Sequence, residues 1–430
     1  MMAWLTSLGA ATLAQSQATP GAWVHDLSPF IFRVSDTLGL RWYGMAYVAG
    51  FVLGYFLARR VLKVGRSPFD PARLGDFVIW CAVGAVVGGR LGYVLLYDRS
   101  LLGPVDGFPF WGVLAMHQGG MASHGGIAGA CVAAAWFSLR QKAPPLHGID
   151  LLAYGAPIGI SFGRLANFIN GELYGRVVAP PGEPGPSWAV RFPTELEAFD
   201  ADRLPSLIGP RVVDAVAQAG GDPQRYVAAY ADLSSANEAT RDAAWRYISD
   251  AMASLGDVLR DGAADPAQQE ALRSLMLDLL PARHPSQLYA AALEGWLVCL
   301  VVVWLWRKPR KPGVIAGAFG VAYAVGRIAN EFFRRPDAAL LDDEFAWTAE
   351  HLGVGITRGQ WLSLGILAAA AAMWWWAAKR SGEPLGGWRR GPWTPPEAGS
   401  PRKADSADGA SQAAAADGKP GLHSREGKKK

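Results

Sequence analysis

The apolar residues of this chain are gathered into seven runs separated by polar connections. They are roughly Tyr43–Ala58, Phe77–Leu96, Met121–Leu139, Leu151–Phe168, Tyr289–Trp306, Val314–Asn330 and Gln360–Ala378. Each comes within a few residues of the ~20 mainly apolar positions that a membrane-spanning helix needs. The pattern predicts an all-α polytopic membrane protein with seven transmembrane helices. Between the fourth and fifth runs, residues 194–282 change character and become rich in Ala, Asp and Arg. Within them Val212–Ala231 and Ala239–Leu259 have amphipathic helical spacing, and Asp222-Pro223 and Asp265-Pro266 read as helix starts. The expected division is an N-terminal segment 1–42, helices 1–4 with their loops over 43–193, a helical insertion 194–282, helices 5–7 over 283–380, and a Pro-, Gly-, Ala- and Ser-rich disordered tail 381–430.

Composition reconciles one ambiguity. Only 18% of the 430 residues are charged, yet the mean hydropathy is +0.12, low for a chain made wholly of membrane helices. The average is a sum of apolar spans and polar segments. Trp42, Trp80, Trp304, Trp306, Trp361 and Trp374–Trp376 fall near span ends, where amphipathic rings belong.

Charge adds direction. Arg59, Arg60, Lys63 and Arg66 follow the first span, Arg140 and Lys142 the third, Arg307-Lys308-Pro309-Arg310-Lys311 the fifth, and Lys379-Arg380 the seventh. Excess Lys and Arg mark the cytoplasmic side. The long connection 171–288 has 10 Arg, no Lys and 17 acids, a net charge of −7. The N-terminus is therefore expected outside and the C-terminus in the cytoplasm, with the insertion extracytoplasmic. Residues 3–14 are mildly apolar but lack the basic start of a signal peptide. Cys81, Cys131 and Cys299 fall inside spans, so no outer disulfide framework is expected, and packing is their ordinary role.

Three spans carry one short pattern: Gly89-Arg90-Leu91-Gly92-Tyr93, Gly163-Arg164-Leu165-Ala166-Asn167 and Gly326-Arg327-Ile328-Ala329-Asn330. Each Arg lies 13 positions into its run (90 − 77, 164 − 151, 327 − 314). At 1.5 Å per residue that is about 20 Å into a core of about 30 Å, in its outer half. An arginine facing lipid there costs at least a few kcal/mol. Three at one level point to a shared anion site, and a phospholipid headgroup is the anion most available at that depth. His124 lies among Gly119-Gly120-Met121-Ala122-Ser123-His124-Gly125-Gly126 at the outer end of the third span, as a candidate general base. Glu331 lies four residues past Arg327 and can pair with it on one helix face.

No metal spacing appears; His117 and His124 are seven apart without a carboxylate set. There is no Gly-x-Ser-x-Gly elbow and no phosphate loop. Cations, one His and amides without a protein nucleophile suit transfer of part of a phospholipid to an acceptor that brings its own nucleophile. The alternatives are an organic-anion transporter, which would need broken helices and a site open to both sides, and another polytopic phospholipid enzyme such as a glycerol-phosphate acyltransferase.

These residues resemble the prolipoprotein diacylglyceryl transferase family. The matching pieces are Trp42-Tyr43-Gly44, Gly88 to Tyr93, Gly119-Gly120-Met121 with His124-Gly125-Gly126, Gly163 to Arg176, Arg283-His284-Pro285-Ser286-Gln287-Leu288-Tyr289, and Arg327 with Glu331-Phe332-Phe333-Arg334. The run Gly163 to Glu172 is the most specific of them. Ala166 stands where the family usually has Gly, Ala290 where relatives often have Glu, and the 194–282 insertion is unusually long. The resemblance implies a multi-pass enzyme of the bacterial cytoplasmic (inner) membrane. It would move the diacylglyceryl group of phosphatidylglycerol to the lipobox cysteine thiol of a prolipoprotein signal peptide, releasing glycerol 1-phosphate. It implies catalytic roles for His124, Arg164, Arg327 and Tyr43. It places Arg164, Arg327, Asn167, Arg90, Glu172, Gly175, Tyr323, Glu331, Arg334 and His284 at the phosphatidylglycerol site. No cofactor, metal or nucleic-acid partner is implied; the partners are membrane lipid and the prolipoprotein.

Overall fold

The computed structural model describes residues 21–33, 39–64, 66–105, 109–116, 119–197, 209–235, 237–261, 265–335 and 358–388. Residues 3–14, His117 and the tail from 389 lie outside the described residues.

Seven helices follow the seven apolar runs: α1 (Trp42–Val64), α2 (Leu74–Leu96), α3 (Ser123–Arg140), α4 (Pro145–Asn170), then after the insertion α9 (Ser286–Leu305), α10 (Val314–Glu331) and α11 (Arg358–Lys379). Four are long and apolar enough to cross a membrane: Trp42–Val64, Pro71–Leu96 (α2 with its leading turn), Ser286–Leu305 and Gly359–Lys379. The other three, α3, α4 and α10, are the ones that carry His124, Arg164 and Arg327. α4 is the hub of the bundle and packs against α1, α3, α9 and α10.

Small residues let these helices close up. Gly84, Gly88 and Gly92 of α2 face Gly125 and Gly129 of α3, and a Cβ built on Gly88 would lie 2.3 Å from the Gly125 carbonyl oxygen. No side chain larger than hydrogen fits that seam. Beside it, Gly50 and Gly54 of α1 meet Gly159 and Gly155 of α4.

The basic end of the bundle has an aromatic core of Phe69, Phe77, Phe137, Tyr154 and Trp306 with Val61, Leu62 and Leu74. Asp150 of α4 caps α10 there, its carboxylate accepting from Gly313 N (2.7 Å) and Ala316 N (2.8 Å). Residues 381–388, the beginning of the expected disordered tail, pack across this end. Leu385 and Arg310 exchange backbone hydrogen bonds, as do Gly386 and Arg66, and the Trp388 indole donates to the Tyr154 hydroxyl (2.8 Å). Backbone pairing of this kind leaves no trace in composition, which is why the segment reads as tail.

The insertion has its own helices, α5 (Pro210–Gln218), α6 (Pro223–Asp232), α7 (Glu238–Asp261) and α8 (Pro266–Leu279). Val212, Val216, Tyr226, Ile248, Met252, Leu255, Leu272 and Met276 form a core separate from that of the bundle. Asp222 and Asp265 are N-caps, accepting from Gln224 and Arg225, and from Gln268. The protein is mostly helical, but the all-α reading missed two small sheets. Strands β1 (Trp23–Val24), β4 (Val177–Ala179), β5 (Val190–Arg191) and β6 (Ala282–Arg283) form one of order β1-β5-β6-β4, with β1 parallel to β5. A hairpin of β2 (Phe30–Arg33) and β3 (Gly39–Arg41) leads into α1. Strands of two to four residues are too short to show an alternating pattern.

Candidate active site

The end of α4 opposite Asp150 is shaped by Gly171, whose φ of +73° ends the helix in the left-handed region. Arg164 and Asn167 lie on the last turns before it and Glu172 just beyond. With its amide nitrogen turned toward acceptors, Asn167 donates to Glu172 Oε1 (3.1 Å), the Tyr43 hydroxyl (3.3 Å) and Gly163 O (3.2 Å). One side chain therefore joins α1, α4 and the turn after α4.

Across from Arg164, α9 widens into a π turn over Ala291–Trp296. Gly295 lies flat against Ser161 of α4, where a Cβ would be 2.0 Å from Ser161 Oγ. That close approach, and the π turn's re-aiming of side chains, deliver Glu294 into the protein interior. Glu294 is fully buried and accepts from Arg164 Nη2 (2.9 Å) and Asn330 Nδ2 (3.0 Å), with Arg327 Nε at 4.0 Å. Arg327 also pairs with Glu331 one turn along α10, the pairing expected from their spacing. Tyr323, one turn before Arg327 on α10, lies close to both arginines. Two guanidiniums are thus bridged by a carboxylate that the sequence reading did not single out. The signal was present: Glu294 is the only acid in the fifth apolar run, and a buried charge is costly unless paired.

The exposures decide which groups face a ligand. Arg164 is 24% exposed and Arg327 14%, against 0% for Glu294 and 5% for Glu331. The carboxylates are hidden behind the arginines and neutralise them by count. The arginine side chains, not the carboxylates, keep exposed surface here.

Arg90 differs. It is buried, and each of its N–H groups faces a carbonyl of the connection between α2 and α3. Nε donates to Val113 O (2.9 Å), Nη1 to Gly119 O and Gly120 O, and Nη2 to Gly112 O and Ala115 O. A guanidinium has five N–H groups, so none is left for a phosphate. The expected three-arginine set narrows to two, and the third arginine holds the loop that leads to α3.

His124 is exposed at the second residue of α3, and its side chain makes no hydrogen bond or ion pair among the described residues. It is not part of the Arg164–Arg327 network. Gly175 lies where the chain passes between two other segments: its N–H donates to His284 O (3.0 Å), and a Cβ would lie 2.5 Å from that oxygen and 2.6 Å from Phe333 O. The neighbouring Arg176 donates from Nε to Arg334 O (3.1 Å). Gly175 is therefore a crossing point that a side chain would push apart. His284 lies among Trp188, Tyr289 and Phe333, with ring centroids 4.9, 5.9 and 5.2 Å away, and burial lowers its pKa. Gln287 Nε2 donates to Glu172 O (2.7 Å), and buried Arg283 forms a bidentate pair with Glu195 (Nε–Oε2 2.7 Å). These tie the 283–289 segment to the turn after α4. No group of three or more His, Cys, Asp or Glu suited to a metal occurs among the described residues.

The profile described as prolipoprotein diacylglyceryl transferase matches residues 29–376. The chain is similar to the phosphatidylglycerol–prolipoprotein diacylglyceryl transferase of Bdellovibrio bacteriovorus, with 38% identity over 372 residues, 86% of this chain and 97% of that one. Proteins of the same name from Rhizobium meliloti (33% identity; 80% of this chain, 87% of that one) and Ruegeria pomeroyi (34%; 80% and 92%) are also similar.

Proposed function

The chain belongs to the prolipoprotein diacylglyceryl transferase family, and from that premise we propose that it transfers the diacylglyceryl group of phosphatidylglycerol to the lipobox cysteine of prolipoproteins. The observation that carries this reading is the pair Arg164 and Arg327, joined through buried Glu294, with each arginine side chain keeping some exposed surface. We assign it seven spans in the bacterial inner membrane, N-terminus outside and C-terminus in the cytoplasm. The support is the alternation of basic loops with the seven helices.

In the reaction the acceptor thiolate attacks the glycerol carbon that carries the phosphate oxygen. A carbon–sulfur bond forms, the carbon–oxygen bond breaks, and the phosphate keeps the electron pair as glycerol 1-phosphate leaves. Arg164 and Arg327 stabilise the charge that grows on that phosphate, a contribution that is larger in a dry site than in water. Glu294 and Glu331 fix both guanidiniums before the lipid arrives, so little reorganisation is left for the transition state. Tyr43, Asn167, Glu172 and Tyr323 position the lipid and Arg164. Arg334 and His284 belong to the outer rim, Gly175 to the chain crossing beneath it, and Arg90 to the loop that presents α3. His124, exposed at the outer end of that helix, takes the thiol proton as general base. A thiol is a poor nucleophile until deprotonated.

The test is incubation of purified protein with phosphatidylglycerol labelled in its acyl chains and a lipobox peptide. Label on the peptide is expected. A peptide that keeps its free cysteine and gains no label removes the transferase reading.

A further inference from the structure

A helix of the outer insertion reaches the end of α4 through Arg260. Helix α7 is held in the insertion core by Ile248, Met252, Leu255 and Leu259, all almost fully buried. Its last turn then presents Arg260, itself 8% exposed, to the end of α4. Arg260 Nη2 donates to Asn170 O (2.9 Å) and Nε to Leu27 O (3.3 Å) of the N-terminal segment. The Asn170 carbonyl closes α4, where helix carbonyls lack backbone partners and a cation is favoured. One residue on, Thr194 donates to Gly171 O at the base of the insertion. The turn fixed in this way is the one that carries Asn167 and Glu172 against Tyr43. A second insertion arginine, Arg273, pairs with Asp26 (2.7 Å), so it fastens the insertion to the N-terminal segment.

We propose that Arg260 is a positioning residue. By clamping the carbonyl end of α4 it holds Asn167 and Glu172 in register with Tyr43, so the insertion sets the turnover of the site without touching the lipid. This rests on the transferase reading for its kinetic arm. A displacement of about 1 Å from a group remote from the chemistry costs up to about a hundredfold in rate, and the loss of one such clamp falls below that limit.

The experiment uses the full-length protein with Arg260→Gln, Arg260→Lys and Arg273→Ala, each checked for thermal midpoint. Two quantities are read: kcat and KM for labelled phosphatidylglycerol, and amide hydrogen exchange across 167–176. Arg260→Gln is expected to lower kcat about tenfold with KM changed less than about twofold. Exchange should speed up across 167–176 and not in α1 or α2. Arg260→Lys should recover part of the rate, since one ammonium reaches one of the two carbonyls. Arg273→Ala should leave kcat within about twofold of wild type. Wild-type kcat in Arg260→Gln, an equal loss in Arg273→Ala, or unchanged exchange at 167–176 each overturns the inference. A wild-type protein that transfers no label refutes the transferase reading instead, and the exchange arm then decides alone whether Arg260 holds this turn.

Discussion

The α2 end and the α4–α10 interface hold the same Gly-Arg pattern, and they use it in opposite ways. At α2 the guanidinium of Arg90 is spent on carbonyls of a loop from its own chain, every donor paired. At the α4–α10 interface Arg164 and Arg327 meet carboxylates and keep part of their side chains exposed. Carbonyls consume an arginine, because each accepts one N–H and none balances its charge. Carboxylates balance the charge with few donors and leave the rest of the fork open. Depth and neighbouring glycine make an arginine tolerable in a membrane. Its partners decide whether it builds the site or the frame around it.

The sharpest way to break this contrast is to remove the open arginines. Arg164→Ala and Arg327→Ala are each expected to lower transfer about a thousandfold while the protein remains folded, measured as labelled peptide formed per folded molecule. Full activity in either removes the phosphate role. Next, Glu294→Gln leaves an acceptor for Arg164 but no charge for the pair, and transfer should drop about a hundredfold. If it drops less than twofold, the carboxylate bridge is incidental.

Arg90→Lys tests the other half. Three donors replace five, leaving buried carbonyls unpaired, and stability should decline by about 2 kcal/mol in thermal or denaturant unfolding. Transfer per folded molecule should change only about threefold. A loss matching that of Arg164→Ala would place Arg90 in the site after all.

The smallest effect concerns the seal between the N-terminal segment and the insertion. His25 is fully buried among Trp23, Phe168 and Phe192, and burial, then the neighbouring Arg260, pushes its pKa down to about 4. In the unfolded chain a histidine titrates near 6.5. Between those values the unfolded state binds a proton that the folded state does not, so stability is full above about 6.5 and is lost as pH falls toward 4. Lowering the pH from 7 to 5.5 should cost about 1 kcal/mol, and His25→Phe should flatten that slope. An unchanged slope in His25→Phe places the titrating group elsewhere.

Much of this was legible in the residues. The cost of charge in lipid pointed to Arg90, Arg164 and Arg327 alike, without separating the first from the other two, and helix spacing paired Arg327 with Glu331. The same cost rule applied to Glu294 and was overlooked, because a single acid in an apolar run carries no repeat to draw notice. What remained hidden depends on packing between distant segments. Nothing local to Arg90 announces five carbonyls from residues 112–120, and Arg260 meets Asn170 across 90 positions of chain. The π turn in α9 and the backbone pairing of 385–386 likewise arise from tertiary contacts.

The central claim is that two of the three motif arginines hold the lipid phosphate and the third does not. It is tested most directly by equilibrium binding of labelled phosphatidylglycerol to folded, detergent-solubilised Arg164→Ala, Arg327→Ala and Arg90→Lys proteins. The account predicts that affinity is lost in the first two by about tenfold or more and retained in the third. Equal affinity in all three, or loss confined to Arg90→Lys, would contradict it.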